Sequence, residues 1–114
     1  MPSPDAIRLR HMREATATAM EMAAGHERTG LTSNTMLAMA LTRCLEILGE
    51  AASKVSPETR ARFPSIPFVQ MITMRNRLIH AYFDVNLDIV WTTVCDDLPS
   101  LLPALDKALA ELDR

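Results

Sequence analysis

The segment Arg75-Asn76-Arg77-Leu78-Ile79-His80-Ala81-Tyr82 holds the side chains of this 114-residue chain best suited to chemistry. A histidine titrates near neutral pH and can take or give a proton, while an arginine holds phosphate oxygens through paired N–H donors. Together they suit metal-independent attack of a ribose 2′-hydroxyl on its neighbouring phosphate. His80 would move the proton, and Arg75 would stabilise the charge that builds on the phosphate oxygens. One histidine cannot easily be base and acid in the same step, but two across a symmetric dimer can.

Spacing decides whether these groups meet. On a helix of 3.6 residues per turn, Arg75 and Tyr82 share a face, and Asn76 and His80 share an adjacent one. The five-residue step from Arg75 to His80 turns through about 140°, so the two do not stack on one regular helix. They converge on one ligand if the helix ends near His80 or if a second copy of the chain completes the site. Phe68, Met71, Ile72, Leu78, Ile79 and Tyr82 fall at helical spacing with Arg75 in their midst. A permanent charge in such a stripe requires an anion, a wet cleft or a partner surface opposite it.

Other helices must position that segment. Asp5 is placed to cap a first helix running to about Ala24 and stopped by Gly25, with Met12, Ala15, Ala19 and Met22 facing inward. Residues 25–33 are polar and read as a loop. Ser33 or Asn34 then caps a helix whose Leu37, Leu41, Cys44, Leu48, Ala52 and Val55 form a stripe over five turns. Glu50 and Lys54 pair at i,i+4 on its outer side. Ser56-Pro57 opens a short helix to about Arg62, residues 63–67 form a break, and Pro67 begins the motif helix. That helix frays near residues 82–85. Asn86 caps the last helix, aligned through Leu87, Trp91, Val94, Leu98, Leu101, Leu105 and Leu112. Pro99 and Pro103 predict a kink or break near residues 96–99. Nothing alternates with period two, and no internal repeat is present. The expected architecture is one all-α domain over 1–114, an antiparallel bundle of four or five helices.

Composition agrees. Hydrophobic residues make up 48% and aromatics only 4%, so Leu, Ala, Met and Ile do the packing, which favours helices. The net charge of −2 argues against a generally basic nucleic-acid binder, but it is unevenly spread. Residues 1–82 carry ten Lys/Arg against seven Asp/Glu (+3), and residues 83–114 two against seven (−5). An anion site therefore belongs to the first part, and ten of the twelve basic residues are arginine. Cys44 and Cys95 sit among apolar neighbours and read as buried free thiols. The opening Met1-Pro2-Ser3-Pro4-Asp5 leads into a charged helix with no apolar leader, and no run of eighteen apolar residues occurs. A soluble cytoplasmic protein is expected.

Arg75-x4-His80 with Tyr82 two residues on resembles the signature of HepT-like toxins, a group of HEPN-fold ribonucleases. The segment Leu45-Glu46-Ile47-Leu48-Gly49-Glu50-Ala51-Ala52 is similar to that family, as are Phe63-Pro64-Ser65-Ile66-Pro67 and Tyr82-Phe83 followed by Val90-Trp91. The resemblance covers nearly the whole chain. It implies an RNA-cleaving toxin that acts as a homodimer without a cofactor. Arg75 and His80 match the catalytic pair, with Asn76 a polar position beside it. It further implies a nucleotidyltransferase antitoxin as partner, silencing the toxin by adding AMP to Tyr82.

Plainer readings stand beside these. Arg75 could form a structural ion pair with Glu46 or Glu50, and a carboxylate there could also orient it for function. His80 could be a hydrogen-bonded helix-end residue, and Arg77 a solvated or RNA-facing charge. His11 and His26 read as surface residues, and the eight methionines as core or dimer-interface filler. Glu46 and Glu50 lack the Glu-x-x-His companion that would make them a carboxylate metal pair. The competing function is a non-catalytic nucleotide-binding or docking partner of a nucleotidyltransferase. A purely structural helical adaptor leaves the placement of Arg75 without a reason.

Overall fold

A computed structural model describes residues 3–113, and the opening Met1-Pro2 lies outside them. The described chain is helical, with no strand: α1 (Pro4–Ala23), α2 (Arg28–Ser33), α3 (Thr35–Ser53), α4 (Pro57–Arg62), α5 (Phe68–His80), α6 (Leu87–Thr92), a π-helical turn (Thr93–Asp97) and α7 (Leu98–Leu112). Since α6, the π turn and α7 run on as one rod, the bundle has four long members, with α2 and α4 as short connectors. The α3 helix lies between α1 and α5, and α7 packs on α1. No described helix is long and apolar enough to cross a membrane.

The helix α3 is central because it can bury two sides. Leu37, Leu41, Cys44, Leu48, Ala52 and Val55 are all buried, as their spacing predicts, and so are Leu45 and Ala51. Asn34 supplies its cap, the side-chain oxygen accepting from the Leu37 N–H at 3.0 Å. Ser56 caps α4 and Asn86 caps α6, both as expected.

Asp5 does not cap α1. Ser3 does, its Oγ accepting from the Ala6 N–H at 3.1 Å, with Pro4 in the first turn. Asp5 reaches instead across the fold, where its carboxylate accepts from the Ser56 N–H (3.0 Å), the Ser56 hydroxyl (2.6 Å) and the Thr59 hydroxyl. It thus clasps the start of α1 to the start of α4. Burial pushes the Asp5 carboxyl up, but the hydrogen bonds from Ser56 and Thr59 outweigh it and leave the pKa below the ordinary value. A carboxyl depressed by folding stabilises the native state above its unfolded pKa, about 3.9, and loses that contribution as pH falls through the folded value. Asp5→Asn is therefore expected to cost about 1–2 kcal/mol at neutral pH. In melts at successive pH values, the gap from wild type should close below the ordinary carboxylate range. A gap that persists there would assign the loss to shape instead of charge.

Two other expectations need correction. Residues 25–33 are not all loop: Gly25 takes the left-handed conformation (φ 80°), but α2 forms directly after it. Leu31 is buried there, and Arg28 bonds both Asp88 and Thr32, so tertiary anchoring outweighs a polar, glycine-containing sequence. Cys95 is exposed while Cys44 is buried, both as free thiols. The inward stripe passes through Val94 and Leu98, and Cys95 stands about 100° from Val94 around the helix. Among the methionines, Met12, Met71 and Met74 are core, whereas Met36 and Met39 are 83% and 68% exposed.

The proline expectation takes a specific form. Pro99 has no N–H to offer the preceding turn, and the ladder shifts register: the Leu98 N–H donates to the Thr93 carbonyl five residues back. Pro103 lies within α7 without ending it.

Candidate active site

The α5 helix presents an apolar face to α3 and carries its polar groups along the edges. Phe68, Met71, Met74 and Leu78 are buried, and α5 comes nearest α3 at Gly49. A Cβ at Gly49 would stand 2.2 Å from Arg75 Cβ, 2.7 Å from the Met71 carbonyl oxygen and 2.9 Å from Arg75 Cγ. No side chain fits in that space, so the bare backbone of Gly49 sets where the stem of Arg75 lies.

The guanidinium meets the next residue of α3. Arg75 Nη2 lies 3.3 Å from Glu50 Oε2, with the arginine side chain 18% exposed. The other oxygen of that carboxylate, Oε1, is 3.9 Å from Lys54 Nζ, the i,i+4 pair read from the sequence. Glu46, the other partner considered for Arg75, instead pairs with Arg43 at 3.5 Å. Arg75 Nε is buried with no hydrogen-bond partner among the described residues. Such a donor costs about 1–3 kcal/mol, so packing against Gly49 and one carboxylate keep Arg75 in place. Donor capacity remains to be used on a ligand.

His80 is the last residue of α5. The Ala81 N–H donates to the Arg77 carbonyl at 3.1 Å, and the Asp84 N–H to the Ala81 carbonyl at 3.0 Å, turning the chain away. The helix therefore ends where the 140° argument asks it to. Asn76, Arg77 and His80 are all exposed. Within the chain Arg75 leans on α3 while His80 stands in solvent, and no hydrogen bond joins them. Tyr82 departs from expectation: it lies beyond the helix end, 86% exposed, and so neither continues the buried stripe nor shares a helical face with Arg75. Ile79 is also exposed, at 40%, and Met74 takes the buried place that the stripe did not include.

Two concavities flank this region. A groove of about 720 Å³ lies between α2, α3 and the segment after α5, with Tyr82, Phe83 and Arg43 among its walls. Across Arg43, which lines both, a hollow of about 200 Å³ is lined by Arg8 and His11 of α1, by Arg43 and Glu50 of α3 and by Lys54, which caps α3. No local pattern along the chain announces that hollow. Its basic residues are scattered over nearly fifty positions, and only the packing of α1 on α3 assembles them. His11, taken alone as a surface residue, acquires company there. Among the described residues, no three His, Cys, Asp or Glu side chains gather to hold a metal ion.

The family model described as "Ribonuclease HepT-like" matches residues 12–108, a span that includes all of α3 and α5. A candidate RNase of Methanocaldococcus jannaschii is 36% identical over 82 residues, 72% of this chain and 71% of the relative. A candidate ribonuclease HepT of Thermococcus cleftensis is 43% identical over 68 residues, 60% of this chain and 62% of the relative. A candidate RNase of Caldanaerobacter subterraneus subsp. tengcongensis is 32% identical over 93 residues, 82% of this chain and 83% of the relative. No solved structure matches.

Proposed function

The chain belongs to the HepT-like ribonuclease family, and on that premise we propose that it is an endoribonuclease whose site is built from Arg75 and His80 of two copies. The observation that carries this reading is the arrest of Arg75. A glycine gap and one carboxylate hold it half-buried with donors to spare, on a helix that ends at His80. A purely structural arginine would have its buried Nε satisfied.

In the proposed reaction, His80 of one copy accepts the proton of a ribose 2′-hydroxyl. The O2′ attacks the adjacent phosphorus, and the bond to the leaving 5′-oxygen breaks. His80 of the second copy, protonated, gives that oxygen its proton. The products are a 2′,3′-cyclic phosphate and a free 5′-hydroxyl. Arg75 stabilises the charge on the non-bridging oxygens, an interaction stronger in the transition state than in the ground state. Because the acid and base come from separate copies, the 140° offset between Arg75 and His80 within one helix is no obstacle. Asn76 and Arg77, exposed on the same helix, are placed to touch the strand.

The finer reading is a toxin of a toxin–antitoxin pair, acting in the cytoplasm and silenced when a nucleotidyltransferase adds AMP to Tyr82. The exposure of Tyr82 supports it, since the hydroxyl must reach another enzyme's site. A nucleotide there would place bulk and negative charge beside the end of α5.

The test is incubation of purified protein with single-stranded RNA in excess chelator, repeated after treatment with the nucleotidyltransferase and ATP. Cleavage that persists in chelator, leaves cyclic phosphate ends, spares RNA deoxy-substituted at the cut and stops after treatment is the expected result. Cleavage requiring a divalent cation would overturn the mechanism. The second reading, a non-catalytic nucleotide-binding or docking partner of the nucleotidyltransferase, is favoured by the groove beside Tyr82. It predicts binding without any turnover.

A further inference from the structure

We propose that the hollow between α1 and α3, walled by Arg8, His11, Arg43 and Lys54, docks a backbone phosphate of the RNA strand next to the one that is cut. The proposal rests on the ribonuclease reading above and adds a binding site to it. Three cations and an imidazole, from α1, α3 and the Lys54 cap of α3, meet one carboxylate, Glu50, around about 200 Å³, so the cations outnumber it. That is below the 300–1,000 Å³ common for small-molecule pockets and suits a single phosphate group.

The charges are available for such a ligand. Arg8 has no carboxylate within ion-pair distance among the described residues. Arg43 and Lys54 are engaged only at 3.5 Å and 3.9 Å, on an exposed surface where such pairs contribute little. Both can turn toward a phosphate, whose charge-assisted hydrogen bonds are stronger than these long contacts. His11 adds a ring N–H donor, and Ile47 and Ala51 give the hollow an apolar floor.

Its position links it to the candidate chemistry. Glu50 lines the hollow and also holds Arg75, so one carboxylate lies between the two cationic positions. A strand with one phosphate in the hollow runs across the outer face of α3 toward Arg75. The division of charge along the chain agrees, since all four residues belong to the part carrying the positive surplus.

The experiment measures binding of single-stranded RNA, 2′-O-methylated to prevent cleavage, by fluorescence anisotropy over a range of salt concentrations. The wild type is compared with the double variant Arg8→Gln/Lys54→Gln and with Arg8→Lys, each checked for an unchanged melt. Losing one phosphate contact should reduce the slope of log affinity against log salt by about 0.7 in magnitude. The loss should be similar across RNA sequences, and Arg8→Lys should retain the wild-type slope. An unchanged slope in the double variant overturns the proposal. So does an altered sedimentation state with the slope intact, which would make the hollow an interface between copies. If the wild type binds RNA but does not cleave its unmodified form, the catalytic reading fails while the salt slope still judges the hollow.

Discussion

Gly49→Ala should lower the melting temperature by on the order of 10 °C and remove most RNA cleavage even where the protein stays folded. The added methyl would overlap Arg75 Cβ at 2.2 Å and the Met71 carbonyl oxygen at 2.7 Å. The second of these is backbone, so no rotamer change relieves it and α3 must part from α5. Overpacking costs about 1–3 kcal/mol and occasionally more, and backbone against backbone belongs at the upper end. Alanine returns about 1 kcal/mol of helix propensity over glycine, which reduces the loss without reversing it. Arg75 moves with α5, and a misplacement of about 1 Å can cost on the order of 100-fold in rate. Thermal melts and cleavage assays on one preparation check both effects. A variant as stable and active as wild type would show that the two helices do not need this approach.

His80→Ala should lose activity without losing stability: cleavage falls by about 10²- to 10⁴-fold, and the melt does not move. The side chain is exposed at the end of α5 and makes no hydrogen bond among the described residues, so its removal should leave the fold intact. Arg75→Ala should also abolish cleavage but alter stability, because it deletes an unsatisfied buried donor and releases Glu50. The pair of variants thus separates proton transfer from charge stabilisation. Full cleavage by His80→Ala would remove the histidine from the mechanism.

Much of the scaffold could be read along the chain because its signals are local. The stripe of α3 and the Ser56, Asn34 and Asn86 caps each depend on residues a few positions apart. The ion pair of Arg75 with Glu50 was foreseen as one of two choices, since helical spacing puts both glutamates on the outer side of α3. What escaped notice depends on distant partners. Asp5 looks like a cap until Ser56 and Thr59, fifty residues on, draw it away. The helix α2 looks like a loop until Leu31 finds the core. Tyr82 fits the apolar period of α5, but the period does not reveal that the helix stops at His80. The role of Gly49 shows only when a second helix is laid against it.

The pairing of α1 with α7 carries a consequence for the order of folding. Arg10 meets Asp113 and Arg13 meets Asp106, closing loops of about a hundred residues, whereas Gly49 and Arg75 lie only 26 apart. A fourfold longer loop adds about 1.2 kcal/mol to the entropy of closure, and the two exposed ion pairs at the seam contribute little against it. The buried Leu101, Leu105 and Leu109 of α7 must therefore hold the seam, and α7 is expected to dock last, with its amide protons exchanging before those of α3 in a hydrogen-exchange experiment. On that order, fluctuations of the bundle open at the α1–α7 seam. The helix pair that aims Arg75 should stay closed through them, its amide protons exchanging last.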